Sequence, residues 1–174
     1  DIMMLCDEIT VTCPFMKAYY EEKTGHKNIT VIPNMPPRFW LDGHFSTYKL
    51  SKNYKKHCSR KNVKPRILYA GSGAHFDVDS LNKDQDDFSH VVSAIINSIN
   101  RYRWVFIGAF PPALKPYILN KEIEFHPWQN IIKFPKFISQ LEINCMVAPL
   151  QNNTFNKAKS DIKFVEASAL GIPI

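Results

Sequence analysis

The chain has 174 residues, a formal net charge of +6, 45% hydrophobic residues and 22% charged ones. That suits one globular domain, or one plus a fragment, and excludes collagen, a coiled coil and global disorder. No apolar run approaches the ~18 residues of a spanning helix, so no membrane crossing is expected.

In chain order, the alternating Glu8-Ile-Thr-Val-Thr12 reads as a short strand. Pro14 suits the first turn of a helix to about Lys23, and Gly25 stops it. Ile29–Ile32 reads as a second strand. The following Pro33-Asn-Met-Pro-Pro37 must be extended and is the best domain boundary. Beyond it the pattern becomes regular. Buried strands are expected at 66–70, 104–108, 123–125 and 145–150, with a fifth beginning at 172. Phe88, Val91, Val92, Ile95, Ile96 and Ile99 form a helical stripe over 86–100, with Asp84, Asp86 and Asp87 at its positive end. Further helices are expected after Pro111-Pro112, over 135–141 and from Ser160 to Leu170. Strand and helix alternate, which predicts an α/β, Rossmann-like parallel sheet with helices on both faces.

The charge is unevenly placed. Residues 49–66 carry eight basic residues and no acid, so without them the net charge falls from +6 to −2. A solvated linker, a polyanion contact and peripheral attraction to an anionic membrane face all stay open. Only Tyr48 and Tyr54 interleave the charges, too few rings for a single-strand nucleic-acid platform, so no nucleic acid is expected as partner. Cys6, Cys13, Cys58 and Cys145 show no CxxC or zinc spacing and read as reduced, cytoplasmic thiols. No basic n-region precedes an apolar stretch, so no signal peptide is expected. Starting at Asp1 and ending at Ile174, the chain is expected to be a piece of a larger protein.

Parallel sheets bind ligands outside the carboxyl ends of their strands. The loop after the fourth strand is the most informative. Ser160 is expected to cap the next helix, whose open first-turn amides, around Asp161 and Ile162, make an anion site. Lys159 and Lys163, one turn apart, can converge on that anion. Glu166 lies near the same face, where a carboxylate can accept two hydrogen bonds from the vicinal hydroxyls of a ribose. A surface helix with solvated lysines is the competing reading. In the first loop, Gly71, Ser72 and Gly73 permit close backbone approach to phosphate, but the segment fails as a dinucleotide fingerprint. His75 can donate to a phosphate or leaving group. Asp77 and Asp79 read as turn and helix-start residues rather than metal ligands, so no metal is expected. Trp128 is either a stacking surface for a base or a lid on the core. Glu122, Glu124 and Glu142 read as solvated surface.

The segment Phe155-Asn-Lys-Ala-Lys-Ser-Asp-Ile-Lys-Phe-Val-Glu-Ala-Ser-Ala-Leu-Gly-Ile-Pro-Ile174 resembles the signature of retaining glycosyltransferases of the GT-B fold, group 1 (family 4), whose pattern is E-x7-E-A-x-A-x-G-x-P. Residues 8–34 resemble the end of their amino-terminal domain, and 66–73 the first strand and loop of their donor domain. The resemblance implies that 1–33 trail from an acceptor domain, that 34–64 form the linker and basic segment, and that 65–174 form a truncated donor domain. It implies that Glu166 holds the donor's ribose and that the amides of 159–162 face its diphosphate. The first glutamate of the pattern is replaced by Ala158. The family's basic residues around the first loop are absent, with Ser72 and His75 in their stead. The N-x-A-K-S-x-x-K sequence over 156–163 resembles a subset that moves the positive charge onto Lys159 and Lys163. The implied activity is metal-independent, cofactor-free transfer of a sugar from a nucleoside-diphosphate sugar, with retention, to a glycan or lipid-linked acceptor. That acceptor would sit on the missing amino-terminal domain. A non-catalytic nucleotide-sugar-binding relative and a basic surface-binding module are the alternatives.

Overall fold

A computed structural model describes residues 2–41, 63–76 and 86–174. Of the basic residues singled out above, Lys49 to Lys61 lie outside the described residues, as do Cys58, Asp77, Asp79 and Asp84. Only Lys64 and Arg66 of that segment fall within them.

Six strands are described: β1 (Ile9–Val11), β2 (Ile29–Val31), β3 (Arg66–Gly71), β4 (Arg103–Gly108), β5 (Glu124–His126) and β6 (Cys145–Met146). β1 and β2 pair in parallel as a two-stranded sheet, joined by helix α1 (Pro14–Thr24). Pro14 opens that helix, and Gly25 closes it in the left-handed conformation (φ 74°), its amide donating to Glu21 O at 3.0 Å. The other four strands form one parallel sheet in the order β5-β4-β3-β6. The expected fold class is the observed one: a Rossmann-like α/β fold with helices on both faces.

Alternation along the strands sorts the core into two layers. Leu68, Ala70, Val105, Ile107 and Met146 face one side. There they pack against α5 (Phe134–Gln140), α7 (Ile162–Ala169) and Trp40 of the four-residue helix α2 (Arg38–Leu41). Trp40 stacks on Phe134 with centroids 5.7 Å apart and donates from Nε1 to Ile131 O, which pins the segment after the proline cluster to the sheet. Tyr69 and Phe106 face the other side, against Phe76, Phe88 and the helices α3 (Val92–Ser98) and α4 (Lys115–Leu119). Tyr69 and Phe76 both meet Phe88 edge-on, at 4.7 and 4.8 Å. Pairs of this geometry contribute about 1 kcal/mol each beyond burial.

Several elements differ from expectation for local reasons. α3 starts at Val92 rather than near 86, because the Asp86 carboxylate accepts from the Phe88 amide and folds 86–91 into turns. β6 pairs over two residues instead of six; the Val147 amide still donates to Leu68 O at 2.9 Å, but Pro149 beyond it has no amide for the ladder. Residues 172–174 form no strand, although Pro173 O accepts from the Met146 amide at 2.7 Å. A five-residue helix, α6 (Thr154–Ala158), was not expected at all. Asn153 caps it by accepting from the Asn156 amide at 2.7 Å.

Glu124 is not solvated surface. Its carboxylate takes Arg66 Nη2 and His126 Nε2, each at 2.7 Å, with Arg103 Nε at 3.5 Å. Burial alone would raise this carboxyl, but the His126 and Arg66 hydrogen bonds and charges outweigh it and hold the group below its ordinary range. This cluster ties β5 to β3 and β4. Among the described residues no helix is long and apolar enough to cross a membrane.

Candidate functional site

The strand order fixes where a crevice forms. From β3 the chain steps to β4 and β5 on one side, then returns to place β6 on the other. The connections after β3 and β6 therefore leave the sheet in opposite directions, which opens a gap at the carboxyl ends of those two strands. A cavity of about 330 Å³ lies there, lined by Tyr69 and His75 from the β3 side and by Ala148–Leu150 and Lys159–Phe164 from the β6 side. That is the low end of the range for small-molecule sites.

One wall is the start of α7. Ser160 is not its N-cap: Asp161 holds that position, and its side chain makes no capping hydrogen bond. Ser160 is instead drawn away by Asn34, whose Nδ2 donates to its Oγ at 2.6 Å. The first-turn amides of a helix have no intrahelical acceptor, so these are left to whatever enters the crevice. Asp161, Ile162, Lys163 and Phe164 line it.

Behind two of the lining residues, His75 and Lys159, is a hub of polar groups around Asp87, one of the acids expected at a helix start. Its side chain is 2% exposed. Oδ2 faces His75 Nδ1 at 2.8 Å and Lys159 Nζ at 3.3 Å. Oδ1 accepts from Asn156 Nδ2 at 2.6 Å and the Gln151 amide at 2.9 Å. Desolvation would raise this carboxyl, but the Gln151 amide, His75, Asn156 and Lys159 together outweigh it, and Asp87 is held below the ordinary aspartate range. The hub thus joins the β3 loop, the turn before α3 and the α6–α7 connection. His75 is no lone loop histidine, and Lys159 reaches into the crevice at the C-terminal cap of α6.

The two lysines expected to converge on one anion are each already held by a carboxylate. Lys159 pairs with Asp87, and Lys163 Nζ lies 2.9 Å from Glu166 Oε2, one turn along α7. An incoming anion therefore shares these cations with Asp87 and Glu166. The Lys163 pair also fixes Glu166, 19% exposed, on the helix face that carries Lys163.

The sequence-selected residues divide into two groups. His75, Lys159, Ser160, Asp161, Ile162 and Lys163 meet at the crevice, and Glu166 is tied to it through Lys163. Ser72 and Gly73 lead into the short 3₁₀ turn that carries His75. Gly71 and Trp128 stand beside them. β3 and β4 end on the facing glycines Gly71 and Gly108. Gly108 has φ 93°, and a Cβ there would meet Gly71 O and the Trp128 ring, each at 2.7 Å. Trp128 is 56% exposed, so its indole lies over the strand ends with much of its surface open, rather than sealed into the core. Sequence reasoning missed Asp87 and Asn156. Asp87 directly precedes the fully buried Phe88, and an acid abutting an apolar stripe was the available signal.

Among the described residues no group of three or more His, Cys, Asp or Glu stands close enough to hold a metal ion. No family model and no curated protein matches this chain.

Proposed function

We propose that the chain is the donor-binding part of a retaining glycosyltransferase similar to the GT-B, group 1 (family 4) enzymes. The observation that carries this reading is the crevice at the β3/β6 switch point. It has an uncapped helix mouth, Lys159 and Lys163 on its wall, and Glu166 further along the same helix. A pyrophosphate suits the amides and ammonium groups. Glu166 is the residue to hold the ribose, and the open face of Trp128 offers a base a stacking surface.

In this reading the barrier to sugar transfer is set by charge growing on the departing diphosphate. Fixed amides and lysines aimed at that charge stabilise it without reorganising. Asp87 accepts from both Lys159 and His75 and so orients the lysine at the crevice. The acceptor, a glycan or lipid-linked hydroxyl, would sit on a domain outside this chain. A cytoplasmic location fits, with the basic segment 49–66 against an anionic membrane face.

The second reading, a non-catalytic nucleotide-sugar-binding relative, is favoured by position 158. Ala158 ends α6, its carbonyl accepting from the Cys13 thiol at 3.6 Å, and offers no carboxylate to a transferred sugar.

Thermal shift of the 174-residue chain with UDP, GDP, CDP and dTDP tests nucleotide binding. One of the four is expected to raise the melting temperature by mass action, and the free nucleosides much less. Sugar turnover by an enzyme that includes the acceptor domain divides the two readings. DNA binding with a steep salt dependence, and no stabilisation by nucleotide, would instead favour a basic polyanion-binding module.

A further inference from the structure

We propose that the Tyr69 hydroxyl is a ligand-binding group: a hydrogen-bond donor at the crevice floor that reads a phosphoryl oxygen of the bound diphosphate. The inference rests on the nucleotide reading for the identity of the ligand, but its anion chemistry is testable apart from it.

Tyr69 sits on β3 with its ring among Phe76, Phe88 and Phe106, where phenylalanine would pack as well. The ring runs along the strand toward its carboxyl end, and its hydroxyl fills the space that a Cβ on Gly71 would need. That is a physical reason for Gly71 beyond backbone freedom. Tyr69 lines the crevice yet is only 4% exposed, and its hydroxyl has no hydrogen-bond partner among the described residues. A buried donor without an acceptor destabilises a fold, so a tyrosine among three phenylalanines calls for a second role. Burial, with the Asp87 carboxylate nearby, pushes the phenol up, so the hydroxyl keeps its proton and can only donate or accept as a neutral group. Lys159, Ser160 and the open turn of α7 line the same cavity. An anion seated against them would supply the missing acceptor. The group is directional and neutral, so it adds selectivity for a phosphoryl oxygen without adding to the charge that Asp87 already balances.

The test is Tyr69→Phe, which keeps the ring and removes one oxygen. Inorganic pyrophosphate and the preferred nucleoside diphosphate are titrated calorimetrically into wild type and variant, and the melting temperature of each free protein is measured. The inference expects two effects of opposite sign. The free variant melts at the same temperature as wild type or higher, because an orphaned hydroxyl is gone. Its affinity for pyrophosphate and for the diphosphate falls about tenfold or more, the size of a hydrogen bond to a charged group. With ζ-¹³C-tyrosine labelling, one tyrosine signal should shift on adding pyrophosphate to wild type and be absent from the variant. Unchanged affinity in Tyr69→Phe overturns the inference, as does a lower melting temperature with unchanged affinity, which would mark a structural hydroxyl. Failure of wild type to bind pyrophosphate overturns it too. If pyrophosphate binds in a Tyr69-dependent way and no nucleoside diphosphate does, the nucleotide reading fails while the anion site stands.

Discussion

Lys159 and Asp87, 72 residues apart in sequence, meet at 3.3 Å beneath the crevice, with His75 sharing the same carboxylate oxygen. This contact fastens the α6–α7 connection to the turn before α3. Breaking a buried pair by removing one partner leaves the other uncompensated. Asp87→Ala should therefore cost about 3 kcal/mol, read as a lower urea midpoint with an unchanged slope. Lys159→Met should cost far less, because His75, Asn156 and the Gln151 amide still serve the carboxylate. Equal losses would mean that Lys159, not the whole hub, holds Asp87.

The same carboxylate sets a pH dependence. Asp87 and Glu124 both have folded values below their ordinary ones, 3.8 and 4.5. The unfolded chain therefore binds protons first as pH falls, and stability rises with pH through that window. Their contribution is fully present above about pH 5 and is lost as pH drops through 4 and below. Urea unfolding between pH 6 and 3 should show this decline, and Asp87→Asn should flatten it. A variant that declines as steeply as wild type would remove Asp87 from the account.

Gly108 is a point of close packing that only glycine fits. Its φ of 93° and the nearness of Gly71 O leave no room for a side chain. Gly108→Ala should destabilise the protein by at least about 2 kcal/mol, from the left-handed backbone and the displaced contact together. It should also shift Trp128 fluorescence, since the indole would have to move. Gly73→Ala, with open space at its Cβ, is the control and should be nearly neutral.

Asn34 acts on the site from the segment after β2. Its amide holds Ser160 Oγ at 2.6 Å, just ahead of the uncapped helix. Asn34→Ala should cost about 1 kcal/mol of stability and weaken nucleoside-diphosphate binding several-fold, while Ser160→Ala gives the same loss. In the double variant the losses should not add, because both remove one bond.

Much of the fold was legible because apolar period tracks secondary structure directly. The stripe from Phe88 to Ile99 and the runs at 66–70 and 104–108 carry their own evidence, and alternation of strand and helix implied the parallel sheet. Short elements escaped. α2 and α6, of four and five residues, are too brief for a period to register, and Pro149 cut β6 to two residues. Ser160 reads as a good cap because nothing local reports the bond from Asn34, 126 residues away. The Asp87 hub was invisible for the same reason. Its members come from three separated segments, and an acid ahead of a helix has a sufficient local explanation in the helix dipole. The α7 face was read more fully, since spacings of three and four within one helix are fixed by its geometry.

Glu166 is the residue on which nucleoside binding turns. Titration of the preferred nucleoside diphosphate into wild type and Glu166→Ala, with Lys159→Ala beside them, is the most direct measurement. Glu166→Ala is expected to lose most of the binding of both the diphosphate and its free nucleoside, and Lys159→Ala to lose far more of the diphosphate's binding than of the nucleoside's. Full affinity in Glu166→Ala, or no diphosphate bound by wild type, would contradict the account.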